Sequence, residues 1–217
     1  MQQSKTPRSS RRDPESGRAS RSSKGEQRRA EIVTLARAAL VEAGPDAFVL
    51  REVAKRAGIR LGNLQYYFTT REALLAAVIE AEAAEDLEVL RTAVAAREEP
   101  KARLQAFCHA IIDRWLGDSG RVFVALMALA QQNAVFAALH EQVYRNFHAA
   151  LEPILRALDP KAGPDETAIR AMLVTALIDG APVQVLHERR QGFVDRVAAL
   201  ALEIGLGQAG RGAAGPG

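Results

Sequence analysis

Residues 50–75 decide the fold, and they read LREVAKRAGIRLGNLQYYFTTREALL. The apolar positions predict a short helix over residues 50–57 and a second over residues 61–68. Between them, Gly58 accepts the left-handed conformation that a tight corner requires, and Ile59 fills the angle between the helices. This spacing is typical of a helix-turn-helix, a motif whose second helix enters the major groove of DNA.

An apolar stripe upstream predicts a third helix that completes a small head. Ile32, Leu35 and Ala39 recur at helical spacing. The helix should end at residues 44–46, Gly-Pro-Asp, because glycine allows a left-handed end and proline cannot continue the helix. Four further side chains are expected to fill the core of this head: Val53, Ala54, Leu64 and Phe68.

The second short helix carries polar and aromatic side chains that a core does not need. Asn63 and Gln65 can each bridge an adenine edge, and tyrosine hydroxyls reach phosphate oxygens. Gly62 allows close backbone approach, and nearby cations would release counterions from DNA. The predicted DNA contacts are Arg51, Lys55, Arg60, Leu61, Gly62, Asn63, Gln65, Tyr66, Tyr67, Thr69 and Arg71. The alternative is a generic helical hairpin with a polar surface.

Nearly everything after residue 70 also reads as helix. Thr70 is placed to cap a long helix that begins at Arg71, and Gly and Pro residues then separate several amphipathic stripes. The run Val122–Ala130 is apolar all round and should be enclosed on most sides. We therefore predict an all-α chain of about nine helices, with a helix-turn-helix head over residues 25–70 and a helical bundle over residues 71–206.

The charge is distributed unevenly along the 217 residues. Residues 1–24 contain seven Lys or Arg and two acidic residues, a net charge of +5, whereas the whole chain carries +3. Such a basic arm indicates nucleic acid or an anionic membrane as a partner, or else an unstructured solubilising extension. We predict disorder for this arm and for the Gly/Ala-rich tail over residues 207–217.

Composition and motifs exclude several classes of protein. The single cysteine, Cys108, rules out an internal disulfide framework and suits a reducing compartment. The arm lacks the apolar segment of a secretory signal, and the longest apolar run is less than half of the roughly 20 residues that a membrane span needs. The sequence has no P-loop, no GxGxxG and no nucleophile–base motif, so we predict that it is not an enzyme.

Few residues are available to bind a metal. His109 with Asp113, and His148 with Glu152, stand four apart on predicted helices and could bind a metal or form ion pairs. Two ligands do not make a site, and we predict neither a metal nor a cofactor.

From Ala36 through Leu75 the chain resembles the TetR family of bacterial one-component transcriptional regulators. The resemblance is carried by VAKRAGI at residues 53–59 and by GNLQYYFTTREAL at residues 62–74. It implies a cytoplasmic homodimer with an N-terminal DNA-binding head and a larger C-terminal domain that binds a small effector. Most members of the family repress transcription.

Four positions depart from the pattern of that family. Val49 stands where the family has a Ser or Thr that opens the second helix and touches phosphate, and Arg60 stands in place of a small polar cap. Gln65 stands in place of a phosphate-contacting tyrosine, with two tyrosines shifted after it. Arg71 stands in place of a lysine and can still contact phosphate. These departures affect the DNA contacts rather than the fold.

The C-terminal half contains a candidate effector site. ALIDGA at residues 176–181 is similar to a stretch of TetR members with a BetI-type C-terminal domain. Asp179 lies among apolar residues in a helix that Pro182 should kink, so it could face a cationic or hydrogen-bonding effector, or accept backbone donors freed at the kink. The predicted effector contacts are Trp115, Phe123, Met127, Phe147, Met172 and Asp179; the alternative is ordinary core.

The last two helices, expected over residues 165–189 and 192–206, each carry two apolar faces. A monomer buries only one face of a peripheral helix, so the second faces predict a two-fold symmetric, four-helix dimer interface. We assign to it Val174, Ile178, Val185, Val194, Ala198, Ala201 and Gly205.

These features together predict a dimeric regulator, a repressor on the family pattern, that leaves a palindromic double-stranded DNA operator when a small-molecule effector binds. Two alternatives stay open: an all-α small-molecule-binding protein or enzyme that does not bind DNA, and an architectural DNA binder that uses the basic arm.

Overall fold

The computed structural model describes residues 14–184 and 192–209, with backbone alone for residues 14–23. Within these residues the chain forms nine helices and no strand, which confirms the predicted all-α fold. The helices are α1 (Pro14–Ala47), α2 (Leu50–Arg56), α3 (Leu61–Tyr67), α4 (Arg71–Ala95), α5 (Pro100–Trp115), α6 (Asp118–Ala130), α7 (Ala134–Leu158), α8 (Pro164–Gln184) and α9 (Phe193–Gly205).

Helix α1 starts earlier than the sequence pattern predicted. It begins at Pro14, so part of the arm expected to be disordered is helical. Proline suits the first turn of a helix, where its missing N–H costs nothing, and no further proline interrupts the chain before Pro45. Residues 1–13 and 210–217, also expected to be disordered, lie outside the described residues.

The predicted end of the first helix at residues 44–46 corresponds to a break inside α1. Gly44 has φ 76° and ψ 171°, so the regular helix stops there, although one more helical turn follows. Only glycine adopts this backbone conformation without strain.

Helices α1, α2 and α3 enclose the core expected for the head. All four predicted side chains are buried against the α1 stripe: Val53, Ala54, Leu64 and Phe68. Gly58 turns the chain with φ 64°. Its N–H donates to Lys55 O at 3.1 Å, and the Ile59 N–H donates to Ala54 O at 3.0 Å, which closes the end of α2.

Helix α4 connects this head to the body. Its cap is the one predicted, because Thr70 Oγ1 accepts from Ala73 N at 3.0 Å. Helix α5 lies at the centre of the body and packs against α4, α6, α7, α8 and α9. Helix α1 also contacts the body directly, through α4 and α6.

The expectation that Val122–Ala130 is enclosed on most sides is wrong. The inner face of α6 is buried, but Val124 is 53% exposed and Met127 is 38% exposed. Helix α6 lies at the edge of the bundle, where within the described chain α1, α4, α5 and α7 cover its inner side only. Its outer apolar side therefore borders open space.

Candidate DNA-binding surface and effector groove

Helix α3 presents nearly all of its predicted DNA contacts to solvent. Leu64 and Phe68 are buried and hold the helix against the head, whereas Tyr66 is 84% exposed. Leu61 and Tyr67 are half-buried. The other predicted contacts on α2, α3 and the adjoining loops are exposed: Arg51, Lys55, Arg60, Gly62, Asn63, Gln65 and Thr69. The structure thus leaves most of the predicted DNA contacts accessible to a ligand.

Two aromatic contacts occur at the end of α3. The rings of Tyr66 and Tyr67 meet edge to face, with centroids 5.4 Å apart. The guanidinium of Arg29, on α1, lies 4.7 Å from the centroid of the Phe68 ring. The sequence pattern gave no role to Arg29, because the contact depends on how α1 crosses α3.

The cations of the head divide into two groups. Arg28 donates to Ala57 O at 2.6 Å, and Arg56 binds Glu42 at 2.8 Å, so both hold α1 and α2 together. Within the described chain, no carboxylate forms an ion pair with the cations predicted to meet DNA on α2 and at the start of α3, namely Arg51, Lys55 and Arg60. Their positive charge therefore faces solvent.

Arg71 has a structural task that the sequence did not predict. Its Nε donates to Phe48 O at 2.9 Å, and its Nη2 donates to Pro45 O. The first residue of α4 therefore holds the loop between α1 and α2, and a phosphate contact by Arg71 stays a prediction. Val49 precedes α2 without a side-chain hydrogen bond, as its apolar side chain requires.

Aromatic side chains from three helices surround the predicted effector site. Trp115 and Phe123 stack with centroids 4.1 Å apart, and Phe147 meets Trp115 edge to face at 5.8 Å. The Tyr144 hydroxyl donates to the carboxylate of Asp179. This satisfies Asp179 through a side chain of α7, a partner that the sequence pattern did not predict.

Burial controls the ionisation of that pair. Desolvation raises the pKa of Asp179 to about 6, and the hydrogen bond from Tyr144 offsets only part of the effect. Desolvation and the nearby carboxylate also raise the pKa of Tyr144 above its ordinary value. At neutral pH Asp179 is therefore a partly buried carboxylate that has a neutral hydrogen-bond donor but no cation as partner in the described chain.

The open space lies beside these rings. Two cavities among the aromatic side chains measure about 20 and 10 Å³, room for about one water each. An adjoining groove between head and body measures about 470 Å³. Its walls include the end of α1 with Pro45, the exposed side of α6 with Val124, and Pro182 and Val183 of α8.

The structure brings together some of the predicted effector contacts. Four of them line the groove: Trp115, Phe123, Met127 and Asp179. Phe147 lines the two small cavities instead. The prediction for Met172 is wrong, because this side chain is 59% exposed on the outer side of α8 and lines none of these spaces.

Five predicted dimer contacts lie inside the protomer, which corrects that assignment. They are Val174, Ile178, Ala198, Ala201 and Gly205. A Cβ at Gly205 would lie 2.9 Å from a Leu104 methyl group, so the small-residue face of α9 packs tightly on α5. Val194 is half-buried, and Val185 lies outside the described residues.

The opposite faces of α8 and α9 are the ones exposed to solvent. The large apolar side chains on this outer surface are Ile169, Met172, Leu173, Val183 and Leu200. Periodicity did not show which apolar face of each helix the body would cover.

The two histidine pairs considered for metal binding have other partners. His109 Nε2 lies 2.9 Å from Asp195 Oδ1, and His148 Nε2 lies 3.1 Å from Thr175 Oγ1. Burial lowers the pKa of His148. Among the residues described, no three His, Cys, Asp or Glu side chains form a group that could hold a metal ion.

No helix in the described part of the chain combines the length and apolar character needed to span a bilayer.

Two family models match most of the chain. Residues 32–78 match the model described as bacterial regulatory proteins, tetR family, and residues 100–204 match the model described as BetI-type transcriptional repressor, C-terminal. The HTH-type transcriptional regulator BetI of Burkholderia cenocepacia strain HI2424 is 29% identical over 167 residues, covering 71% of this chain and 80% of that protein.

Solved structures show the same fold. A TetR transcription regulator from Haloarcula marismortui ATCC 43049 has a TM-score of 0.70 and 17% identity, covering 83% of this chain and 97% of its own. FadR from Bacillus subtilis in complex with stearoyl-CoA has a TM-score of 0.68 and 17% identity, covering 82% of this chain and 98% of its own.

Proposed function

This chain belongs to the TetR family of bacterial regulatory proteins, as a DNA-binding transcriptional regulator with a ligand-binding C-terminal domain, and we propose that it represses from a palindromic operator. The observation that carries the proposal is the outward face of α3. Asn63 and Gln65 offer paired donors and acceptors for base edges, and the exposed Tyr66 and exposed cations are their neighbours in the head. A buried core behind α3 holds these side chains in place.

Binding as a dimer accounts for the outer surface of α8 and α9. Ile169, Met172 and Leu173 form part of a cluster of large apolar side chains, whereas monomeric proteins usually expose such side chains singly. In a two-fold dimer the surface would meet its own copy. The two heads would then reach successive major grooves, about 34–36 Å apart.

The groove between head and body is the proposed effector site. Asp179 is a half-buried carboxylate on its wall, and Tyr144 neutralises none of its charge. Aromatic and aliphatic side chains line most of the remaining wall. This combination favours a small organic cation with an apolar body, bound by charge attraction and by contact with aromatic faces.

Release of DNA then requires a difference in affinity between two states. An effector that binds both states equally shifts nothing, however tightly it binds. The groove is bordered by the end of α1 as well as by α6 and α8, so its width changes when the head moves relative to the body. An effector that fits one width favours one head position.

The decisive experiment selects bound fragments from the source genome with the full-length protein at a stated salt concentration. We expect a palindromic site, bound much more tightly than random duplex by fluorescence anisotropy, with two protomers per site. Equal affinity for selected and random duplex would contradict the proposal.

A further inference from the structure

Two acidic residues on α4 occupy positions where its apolar stripe should continue. Leu75, Ile79 and Leu90 of this stripe are buried, and Glu82 and Asp86 lie in register with them. Glu82 is 5% exposed and Asp86 is 4% exposed. Buried carboxylates are rare unless cations or other donors satisfy them.

Glu82 joins three helices to α4. Arg37 of α1 donates to it through Nε and, at 3.3 Å, through Nη2. Arg114 of α5 donates through Nη2 at 2.8 Å, and Ser119 of α6 donates through Oγ at 2.5 Å. Burial alone would raise the pKa of Glu82, but the hydrogen bonds from Arg37 and Ser119 hold it below its ordinary value.

Asp86 extends the same network by one helical turn. It accepts from Arg114 Nε and, at 2.9 Å, from the indole Nε1 of Trp115. Burial raises its pKa, and the two donors offset only part of that rise. A continuous chain of hydrogen bonds therefore runs from Trp115 through Asp86, Arg114 and Glu82 to Arg37.

The network is poorly explained as a source of stability. Taking charges out of water costs about as much as their mutual attraction returns, and an apolar replacement is often at least as stable. A network of directed bonds does, however, fix the relative positions of its members. Here it fixes α1, which belongs to the head, against α4, α5 and α6 of the body.

The two ends of the network lie in the two functional parts of the molecule. Arg37 is on α1, five residues after Ile32 of the head core. The Trp115 ring stacks on Phe123 and lines both the groove and the two small cavities. A ligand that moves this ring must also move its Nε1–H, the donor that holds Asp86.

We propose that the chain of bonds Trp115–Asp86–Arg114–Glu82–Arg37 couples the groove to the position of the DNA-binding head. The inference rests on the proposed function and assigns positioning residues to its regulation. The head is joined to the body covalently through α4, and the network is a second, non-covalent link that reaches α1 directly. By thermodynamic reciprocity, a coupling that lets the groove affect DNA binding also lets DNA binding affect Trp115.

Trp115 provides the readout, because it is the only tryptophan in the sequence. A selected operator duplex is titrated into the full-length protein while Trp115 emission and the anisotropy of the labelled duplex are recorded together. We expect the emission of the wild-type protein to change in parallel with DNA occupancy. Trp115 lies on α5, outside the proposed DNA surface, so DNA itself does not cause the change.

Arg37→Met is the test variant. The Arg37 side chain is 32% exposed, and Glu82 keeps Arg114 and Ser119 as donors, so we expect the variant to fold. It should still bind the duplex but lose most of the emission change. Arg91→Met is the matched control, because it breaks the exposed Arg91–Glu88 pair on α4, outside the network. It should behave like the wild-type protein.

Each outcome decides between the two proposals. Failure of the wild-type protein to bind any selected duplex contradicts the proposed function. Binding without an emission change, or a full change in Arg37→Met, contradicts the coupling. Glu82→Gln, which removes the central charge at nearly constant volume, replaces Arg37→Met if circular dichroism shows the latter unfolded. We expect Glu82→Gln to lose the emission change as well. Coupling between two sites typically changes affinity by about 5–150-fold, and in this variant the coupling between Trp115 and DNA binding should fall toward onefold.

Discussion

At the scale of single residues, the pKa of a buried carboxylate in this protein depends on whether its hydrogen-bond donors are charged. Asp179 has a hydrogen bond from Tyr144 but no cation within the described chain, whereas Glu82 has two. Burial acts on both, yet the pKa of Asp179 is raised and that of Glu82 is lowered. The difference follows from the charge of the partners.

Asp179→Asn should stabilise the protein at high pH. The folded pKa of about 6 exceeds the ordinary value of 3.8, so the contribution of Asp179 to stability is present at low pH and lost as the pH rises through 6. We expect the variant to raise Tm by about 2–4 °C at pH 8, the change produced by about 1 kcal/mol in a chain of this size. Below pH 5 the difference should shrink.

Thermal unfolding of both proteins at pH 5 and pH 8 checks this prediction, with Asp46→Asn, at an exposed carboxyl, as the control. A difference in Tm that does not vary with pH would contradict it.

Asn63→Ala and Tyr67→Phe should have different effects on DNA binding. Loss of a bidentate contact costs about 1–3 kcal/mol at the base pair it reads and relaxes the preference there. Loss of a phosphate contact weakens binding to every sequence. Affinities for the selected operator, its single-base variants and random duplex separate the two effects. If Asn63→Ala weakens binding to operator and random duplex by equal factors, Asn63 does not read a base.

At the scale of elements, α8 and α9 each pack one side on the body and expose large apolar side chains on another. The small residues Ala198, Ala201 and Gly205 allow α9 to approach the body closely. Of the larger side chains, Met172 on α8 and Leu200 on α9 are exposed and offer apolar area for the proposed association with a second copy.

Leu173→Glu should convert a dimer into a monomer. Leu173 is 51% exposed on the proposed interface, so a charge there costs the monomer little but is buried without a partner in the dimer. Light scattering should show a mass near 23.5 kDa for the variant. Val135→Glu, at a comparably exposed position on α7, should stay dimeric. A dimeric Leu173→Glu would place the interface elsewhere.

Deletion of residues 1–24 should weaken DNA binding without changing sequence preference. The segment contains seven cations, and each phosphate contact adds about 0.9 to the slope of log K against log salt. The deletion should therefore make the affinity for DNA less dependent on salt, while the ratio of the affinities for operator and random duplex stays the same. Deletion of residues 210–217 is the control. Loss of that ratio would mean that the arm, rather than α3, supplies the specificity.

At the scale of the whole molecule, the proposed function depends on the position of the head relative to the body. The head contacts the body through α1 as well as through α4. In the proposed dimer, the spacing of the two heads would therefore depend on the groove and on the buried network together. Small differences at the groove would then become differences in the separation of two recognition helices, which must match the helical repeat of DNA.

The pairing of two heads in the proposed dimer gives a prediction about the operator. Insertion of about 5 base pairs, half a helical turn, between the half-sites turns one half-site to the opposite side of the duplex. We expect affinity to fall toward that for random DNA, and an insertion of about 10 base pairs to lower it less. Anisotropy titrations of the three duplexes measure this. Equal affinities would show that the heads bind independently.

The sequence by itself determined the head and its exposed polar residues. The helix-turn-helix depends on neighbours in the chain: Gly58 for the corner, Ile59 beside it, Leu64 and Phe68 as anchors four residues apart. Such local spacing is visible in one dimension. Because Leu64 and Phe68 are buried in the core, Gln65 and Tyr66 between them are exposed.

Only the tertiary structure decided which face of α8 and α9 is covered, where Met172 points, and how the buried network is completed. Arg37 and Glu82 are 45 positions apart, and Arg114 reaches Glu82 over 32. The one sign in the sequence is that Glu82 and Asp86 interrupt an apolar stripe. Helical periodicity defines the faces of a helix, but the face that packs inward depends on the shapes of helices distant in the chain.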